Sequence, residues 1–187
     1  MTEPAGEEGM PDEPDVIGRF VLVVDPAWEP SSPDDEPPAE AVVGGWYFDE
    51  DGNNRRFQAN PAYRPSRPGS PTDPVDAEMQ LVVRGGTDGS TLIEVMRDAV
   101  FGVAVDEEGL VIVAPAPDDV PSVLVTTAAV HRERVQAAGW VEAGFADIVK
   151  ALPDSGVDVL LNPGAPASMR LEGAILKQVP LEDDDED

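Results

Sequence analysis

The sequence predicts an α+β fold: a mixed or largely antiparallel sheet flanked by short helices, with a small N-terminal β-hairpin unit and disordered acidic termini. Three observations predict it. Short β-branched runs such as Phe20-Val21-Leu22-Val23-Val24 and Ser122-Val123-Leu124-Val125 are strand-sized and closed by turn residues. Other stretches space their apolar residues as a helix does and carry recognisable helix starts. The 20 Pro and 17 Gly fall mostly outside both, with proline concentrated in Pro26–Pro38 and Pro61–Pro74.

Residues 1–15 hold Glu3, Glu7, Glu8, Asp12, Glu13 and Asp15 without any Lys or Arg, which predicts a disordered segment. An export signal would need a positive start followed by an apolar run, and neither is present. Phe20–Val24 reads as a strand closed by Asp25-Pro26. Residues 29–40 contain Pro30, Pro33, Pro37 and Pro38 and read as a loop. Ala41–Phe48 and Arg55-Arg56-Phe57 flank Asp51-Gly52, a hairpin signal because glycine takes the positive φ of the turn. Asn60–Ser66 then leaves as a turn and an extended arm, so residues 16–72 form a small β unit with Pro-rich loops.

Past Pro71 the pattern turns helical. Asp73 precedes Pro74 as a capping carboxylate before a proline suited to a first helical position, and Met79, Val82 and Val83 continue the helix to Gly85-Gly86. Thr91-Leu92-Ile93-Glu94 fits a capping box opening a second helix, with Leu92, Val95, Met96 and Ala99 as its buried stripe. Val100–Val105, Leu110–Val113 and Ser122–Val125 read as a meander, and Thr126 or Thr127 opens a helix to Val135. Phe145–Leu152 is a helix stopped by Pro153, and Val157–Leu161 is a strand ending at Asn162-Pro163-Gly164. A strand over Ser168–Leu171 and a short helix to Val179 complete an α+β domain over residues 73–180. Residues 181–187 are an acidic tail of the same character as the N-terminus.

Composition narrows the function. With 38 acidic against 12 basic side chains, the formal charge of −26 argues against nucleic acid and anionic membranes, and leaves basic protein surfaces as partners. The absence of Cys removes disulfides, zinc-thiolate sites and thiol catalysis, and His131 is the single imidazole. The expectation is a soluble cytoplasmic protein that is not an enzyme and carries no cofactor or metal. Gly85–Thr91 lacks the Lys and the preceding strand of a phosphate loop. Asp49–Asn54 puts Tyr47 and Gln58 in the first and twelfth slots of a calcium loop, where carboxylates belong, so it reads as a hairpin turn. His131, among Arg132, Glu133 and Arg134, reads as a surface residue, and neither Ser122 nor Ser168 sits in a Gly-x-Ser-x-Gly elbow.

One basic cluster stands out. Arg55, Arg56, Arg64 and Arg67 fall within thirteen acid-free residues and flank Phe57 and Tyr63. Arg55, Arg56, Tyr63, Arg64 and Arg67 are therefore candidates for gripping a partner surface, although the same arginines would also neutralise the acidic loop 29–40. Trp140, beside Gly139, is a candidate cap of a groove. Asn162 and Gly164 join the candidate set because ligands often bind where loops gather at the C-terminal ends of strands.

Pro121–Thr127, the Phe145–Leu152 segment and Val159-Leu160-Leu161-Asn162-Pro163-Gly164 resemble the SseB N-terminal-domain family over roughly residues 74–179. Upstream, Trp46, Asp51-Gly52, Phe57, Asn60-Pro61-x-Tyr63-x-Pro65-Ser66 and Thr72-Asp73-Pro74-Val75-Asp76 resemble its actinobacterial branch of type VII secretion system-associated proteins. Relatives often carry Phe before a Thr-Ser pair where this chain has Val125-Thr126-Thr127. The resemblance implies an accessory protein encoded with, or working beside, a secretion machine. Taken with the depleted catalytic repertoire and the two acidic ends, it leads to the expectation of a non-enzymatic protein, chaperone-like or regulatory, that meets a secretion component or secreted substrate with a basic surface. Two other functions fit the residues: a small-ligand binder or enzyme at the Asn162-Pro163-Gly164 turn near Thr126-Thr127, and an acidic protein that neutralises a basic toxin.

Overall fold

The computed structural model describes residues 19–25, 27–32, 34–48, 56–67, 69–86 and 89–181, with Arg56 by its backbone alone. The acidic ends, residues 1–15 and 182–187, and the turn expected at Asp51-Gly52 lie outside the described residues. The fold is α+β, with two sheets and short helices.

The first sheet holds β1 (Arg19–Val24), β2 (Val42–Phe48) and β3 (Arg56–Ala59), antiparallel and in that order. The hairpin pattern therefore places β2 and β3 as expected. Gly44 and Gly45 in β2 make room for aromatic rings. A methyl group at Gly44 would strike the Phe57 ring and the Gln58 carbonyl oxygen, and one at Gly45 would strike the Phe20 ring. Phe57 packs with Val43 and Tyr63 into a small core, and Trp46 meets Phe57 edge-on at 5.2 Å between ring centres.

Two helices follow. In α1 (Pro74–Val83) Asp73 is the N-cap, its Oδ1 accepting the Asp76 N–H at 2.9 Å, and Pro74 sits in the first turn as the sequence predicts. In α2 (Ser90–Arg97) the capping box is not used. The cap is Gly89, at φ 85°, and Thr91 lies inside the helix. The chain reverses at a residue that tolerates left-handed backbone, so the helix begins before Thr91. Leu92 and Met96 are buried, with Val95 and Ala99 packed at the margin of the core.

The second sheet comprises β4 (Val100–Val105), β5 (Val113–Pro115), β6 (Pro121–Thr126), β7 (Gly139–Gly144), β8 (Asp158–Leu161) and β9 (Met169–Leu171). Its order is β7-β4-β6-β8-β9, with β5 beside the first half of β6. Every pairing is antiparallel except β6–β8, which α3 (Ala129–Arg132), β7 and α4 (Phe145–Ala151) bridge as a crossover. The simple meander is thus corrected. The strand expected at Leu110–Val113 begins only at Val113, and the helix expected to reach Val135 shrinks to α3. No strand was expected at β7, yet it pairs with all six residues of β4. The last helix, α5, spans Gly173–Leu176.

Phe101, Val125, Val159 and Leu161 from the sheet meet Met79, Met96, Phe145, Val149 and Leu176 from the helices in one core. Burial of this kind is worth about 25 cal/mol per Å² of apolar surface and is the main force holding the layers together. The small β unit does not stand apart. The Phe57 N–H donates to the Asp98 carbonyl at 3.1 Å, and Phe57 forms a parallel bridge with Ala99, so β3 abuts the start of β4. Among the described residues no helix is long and apolar enough to cross a membrane.

Candidate functional site

The segment from Pro71 to α1 threads between the two sheets and carries a buried polar cluster. Asp25, at the end of β1, anchors the arm that leads into it. Its Oδ2 accepts from the Tyr63 hydroxyl at 3.1 Å, the Ser66 N–H at 3.1 Å and the Ser66 hydroxyl at 2.8 Å, while Oδ1 accepts from the Ala27 N–H at 2.8 Å. Burial pushes this carboxyl up, but the hydrogen bonds outweigh it and hold Asp25 below the usual carboxylate range. Burial and the neighbouring Asp25 together push the Tyr63 phenol far up.

Further along, Asp73 does more than cap α1. Its Oδ2 accepts from the Thr72 hydroxyl at 2.7 Å and the Thr127 hydroxyl at 2.6 Å. Burial nevertheless dominates, with Asp76 adding repulsion, and holds the Asp73 carboxyl above its ordinary value despite these donors. Asp76 Oδ2 accepts from the Thr72 N–H at 3.0 Å and from Gln80 Nε2 at 3.2 Å.

His131 overturns the sequence expectation. It is 4% exposed, with Nε2 2.8 Å from the Thr72 hydroxyl oxygen and Nδ1 3.4 Å from Arg134 Nη1. A guanidinium can only donate, so Nδ1 is the acceptor and Nε2 carries the proton. A directed chain results: Arg134 donates to His131, His131 to Thr72, and Thr72 to Asp73. Burial lowers the imidazole's pKa, and Arg134 adds to this against the opposing pull of Asp76. Helix α3 is short, and its basic neighbours suggested a solvated face. Packing against Thr72, 59 residues earlier, left no local trace.

An open cleft of about 450 Å³ lies over this floor. Pro65, Arg67, Gly69 and Ser70 of the arm form one wall and α1 with Arg84 a second, with α3, Arg134 and the Pro166-Ala167 turn completing the cleft. Arg67, Arg84 and Arg134 line it. Arg84 spends Nη2 on Gln80 Oε1 at 2.9 Å, and Arg134 spends Nη1 on the Val130 carbonyl at 3.3 Å and on His131. Among the described residues the ion pairs are Arg170 with Asp118 and Asp158, and Lys177 with Asp154. None involves a cleft arginine.

Of the predicted contact residues, Arg67 and Gly164 reach this region. Gly164 adopts φ 74°, and a methyl group there would lie 3.7 Å from Arg134 Cβ. Tyr63 is corrected: at 3% exposure it is a core residue whose hydroxyl is spent on Asp25. Asn162 is corrected too, being fully buried. Its Oδ1 accepts the Thr127 N–H at 2.9 Å and its Nδ2 donates to the Thr127 hydroxyl at 3.0 Å, tying β8 to the end of β6. Arg64 is exposed but folds back on the carbonyls of Pro61 and Tyr63. Trp140 is half-buried in β7, with the Arg132 guanidinium 5.4 Å from its ring centre, and does not line the cleft. Arg55 and the Arg56 side chain lie outside the described residues. Gln80 and Arg84 carried no motif, and Asp76 entered only as the end of the Thr72–Asp76 run, with no site role. The only signal that could have found them was helical spacing, which puts all three on one face of α1.

Chemically, the floor is satisfied rather than poised. The Thr72 and Thr127 hydroxyls both donate to Asp73, and the hydroxyls of Ser122 and Ser168 bond the carbonyls of Val120 and Leu161, away from His131. The free capacity lies in the guanidinium N–H groups, which suit an anion. Among the described residues no cluster of His, Asp and Glu is placed to hold a metal ion. Compared with known proteins, the chain matches no family model, no curated protein and no solved structure.

Proposed function

We propose that this chain is a non-enzymatic, cytoplasmic accessory protein of type VII secretion that works by contact with a protein partner, in a chaperone-like or regulatory role. The secretion context rests on the sequence resemblance alone. The contact itself is supported by one observation: three arginines that make no ion pair among the described residues converge on one open cleft in a chain of net charge −26. An acidic exterior favours approach to basic surfaces, and the cleft is the local exception that gives the encounter its register.

The test is co-purification of the tagged full chain from an actinobacterial lysate at low and high salt, beside an Arg84→Glu/Arg134→Glu variant. Recovery of a secretion component or substrate by the wild type, lost in the variant, is the expected result. Equal recovery by both, or no secretion protein with either, refutes the proposal. The cleft's size also favours a second reading, a site for a small organic anion, since pockets for such ligands span about 300–1,000 Å³.

A further inference from the structure

We infer that the arginine-lined cleft receives the free C-terminal carboxylate of a polypeptide whose last residue is apolar. This deepens, and rests on, the reading of the cleft as the site of partner contact.

The charge of the occupant follows from unspent donors. A guanidinium has five N–H groups in a planar fork that matches a carboxylate. Arg84 and Arg134 each retain part of that fork after their protein hydrogen bonds, and the Arg67 guanidinium makes no hydrogen bond or ion pair among the described residues. Among the described residues the one carboxylate lining the cleft, Asp76, already accepts from Thr72 and Gln80.

The occupant carries a single charge rather than many. Asp76 faces it, and the surrounding chain is strongly negative, so each additional anionic group meets repulsion that three arginines do not offset. A nucleic acid or polyphosphate is thereby disfavoured. Of the other groups lining the cleft, Thr72, Gln80 and His131 spend polar atoms on protein partners, and Pro65, Val83, Val130, Pro166 and Ala167 supply apolar surface beside Gly69 and Ser70. Val83 is 59% exposed, leaving apolar surface for a ligand to cover.

The occupant must therefore present a carboxylate and an apolar group close together within about 450 Å³. A standard protein interface covers about 800 Å² on each partner, so the cleft holds a short segment, not a folded surface. Within a polypeptide, the last residue offers both groups on one Cα. An internal Asp or Glu does not: in an extended segment its immediate neighbours point to the opposite side, and the residues two away that share its side stand roughly 7 Å off.

The test uses the full chain, calorimetry at low ionic strength, and acetylated tripeptides ending in leucine or phenylalanine. The peptides are supplied as free acids and as amides, with hexanoate as a free organic acid. The acids are expected to bind. Amidation, Arg84→Gln or Arg134→Gln should each weaken binding roughly tenfold, the effect of about 1.4 kcal/mol. Arg97→Gln, whose guanidinium bonds the Pro180 carbonyl away from the cleft, should bind as the wild type does. The NMR signals of His131, the only histidine, should shift with the acids and not with the amides. Equal affinity for acid and amide, no effect of either cleft substitution, or no binding of any peptide acid overturns the inference. Hexanoate binding as tightly as the peptides overturns the polypeptide occupant and assigns the cleft to free organic acids. The two readings separate cleanly. Partner capture that depends on Arg84 and Arg134 without peptide binding sinks only the carboxylate inference. Peptide binding without capture of a secretion protein sinks only the secretion role.

Discussion

Substituting Asn162 tests how the end of β8 is locked. Asn162 sits at φ 47°, in the left-handed region, fully buried, with its side-chain oxygen on the Thr127 N–H at 2.9 Å. Asn162→Ala removes that acceptor and leaves a buried N–H unpaired, about 1–3 kcal/mol. It also places alanine in left-handed backbone, a further cost of about 1–2 kcal/mol. The expected loss is therefore about 2–5 kcal/mol. Asn162→Gly suffers the first cost and not the second, although its freedom in the unfolded chain returns about 0.5–1 kcal/mol of that advantage. The glycine variant should fall between wild type and alanine, more stable than alanine by up to about 1.5 kcal/mol. Urea unfolding with an unchanged m-value measures both differences. An alanine variant within about 0.5 kcal/mol of wild type refutes the account of the hydrogen bond. A glycine variant less stable than alanine refutes the account of the backbone.

Three further expectations can be checked alongside. The His131 titration, followed by NMR, should have its midpoint below the ordinary 6.5. On acidification the unfolded chain then takes its proton first, so the stability contributed by neutral His131 is complete above pH 6.5 and is lost as pH falls through the lowered folded value. The urea midpoint difference between wild type and His131→Gln should accordingly shrink between pH 8 and pH 5; a constant difference contradicts the burial of a neutral imidazole. Asp25→Ala should cost about 1–3 kcal/mol by orphaning the Tyr63 and Ser66 donors, and should weaken peptide-acid binding because Ser66 anchors one wall of the cleft. Gly44→Ala should cost about 1–3 kcal/mol through collision with Phe57, seen as a lower melting temperature and an altered near-UV signal from Trp46; an unchanged melting temperature means the ring can move aside.

What was legible in the sequence was local. The Asp73-Pro74 start of α1, the β2–β3 pairing, α4 and the β8 strand are set by caps, turns and short apolar runs that any reader of neighbouring residues can weigh. Strand β7 was hidden because its only strong β-formers, Trp140 and Val141, are hemmed by glycines and Glu142, and its pairing with β4 is supplied by a segment some 40 residues away. The site failed for the same reason. His131, Thr72 and Asp73 meet through tertiary packing, so charge density around His131 pointed to solvent when its ring points inward. Arginine clustering did identify Arg67. It also promoted Tyr63, whose aromatic ring belongs to the small core, because composition does not reveal which side of a strand or arm a residue faces.

The arm that walls the cleft is fastened to β1 through Asp25, whereas the opposite walls belong to helices over the second sheet. Receptor and joint are thus the same object. A guest lodged there bridges the two halves of the chain, and its affinity adds directly to the free energy that keeps them together. Severing the backbone between Arg67 and Thr72 would leave each half with its own strands but neither with a complete binding cavity. Resistance of that stretch to proteolysis should therefore rise with the concentration of guest, which makes a protease a reporter of occupancy.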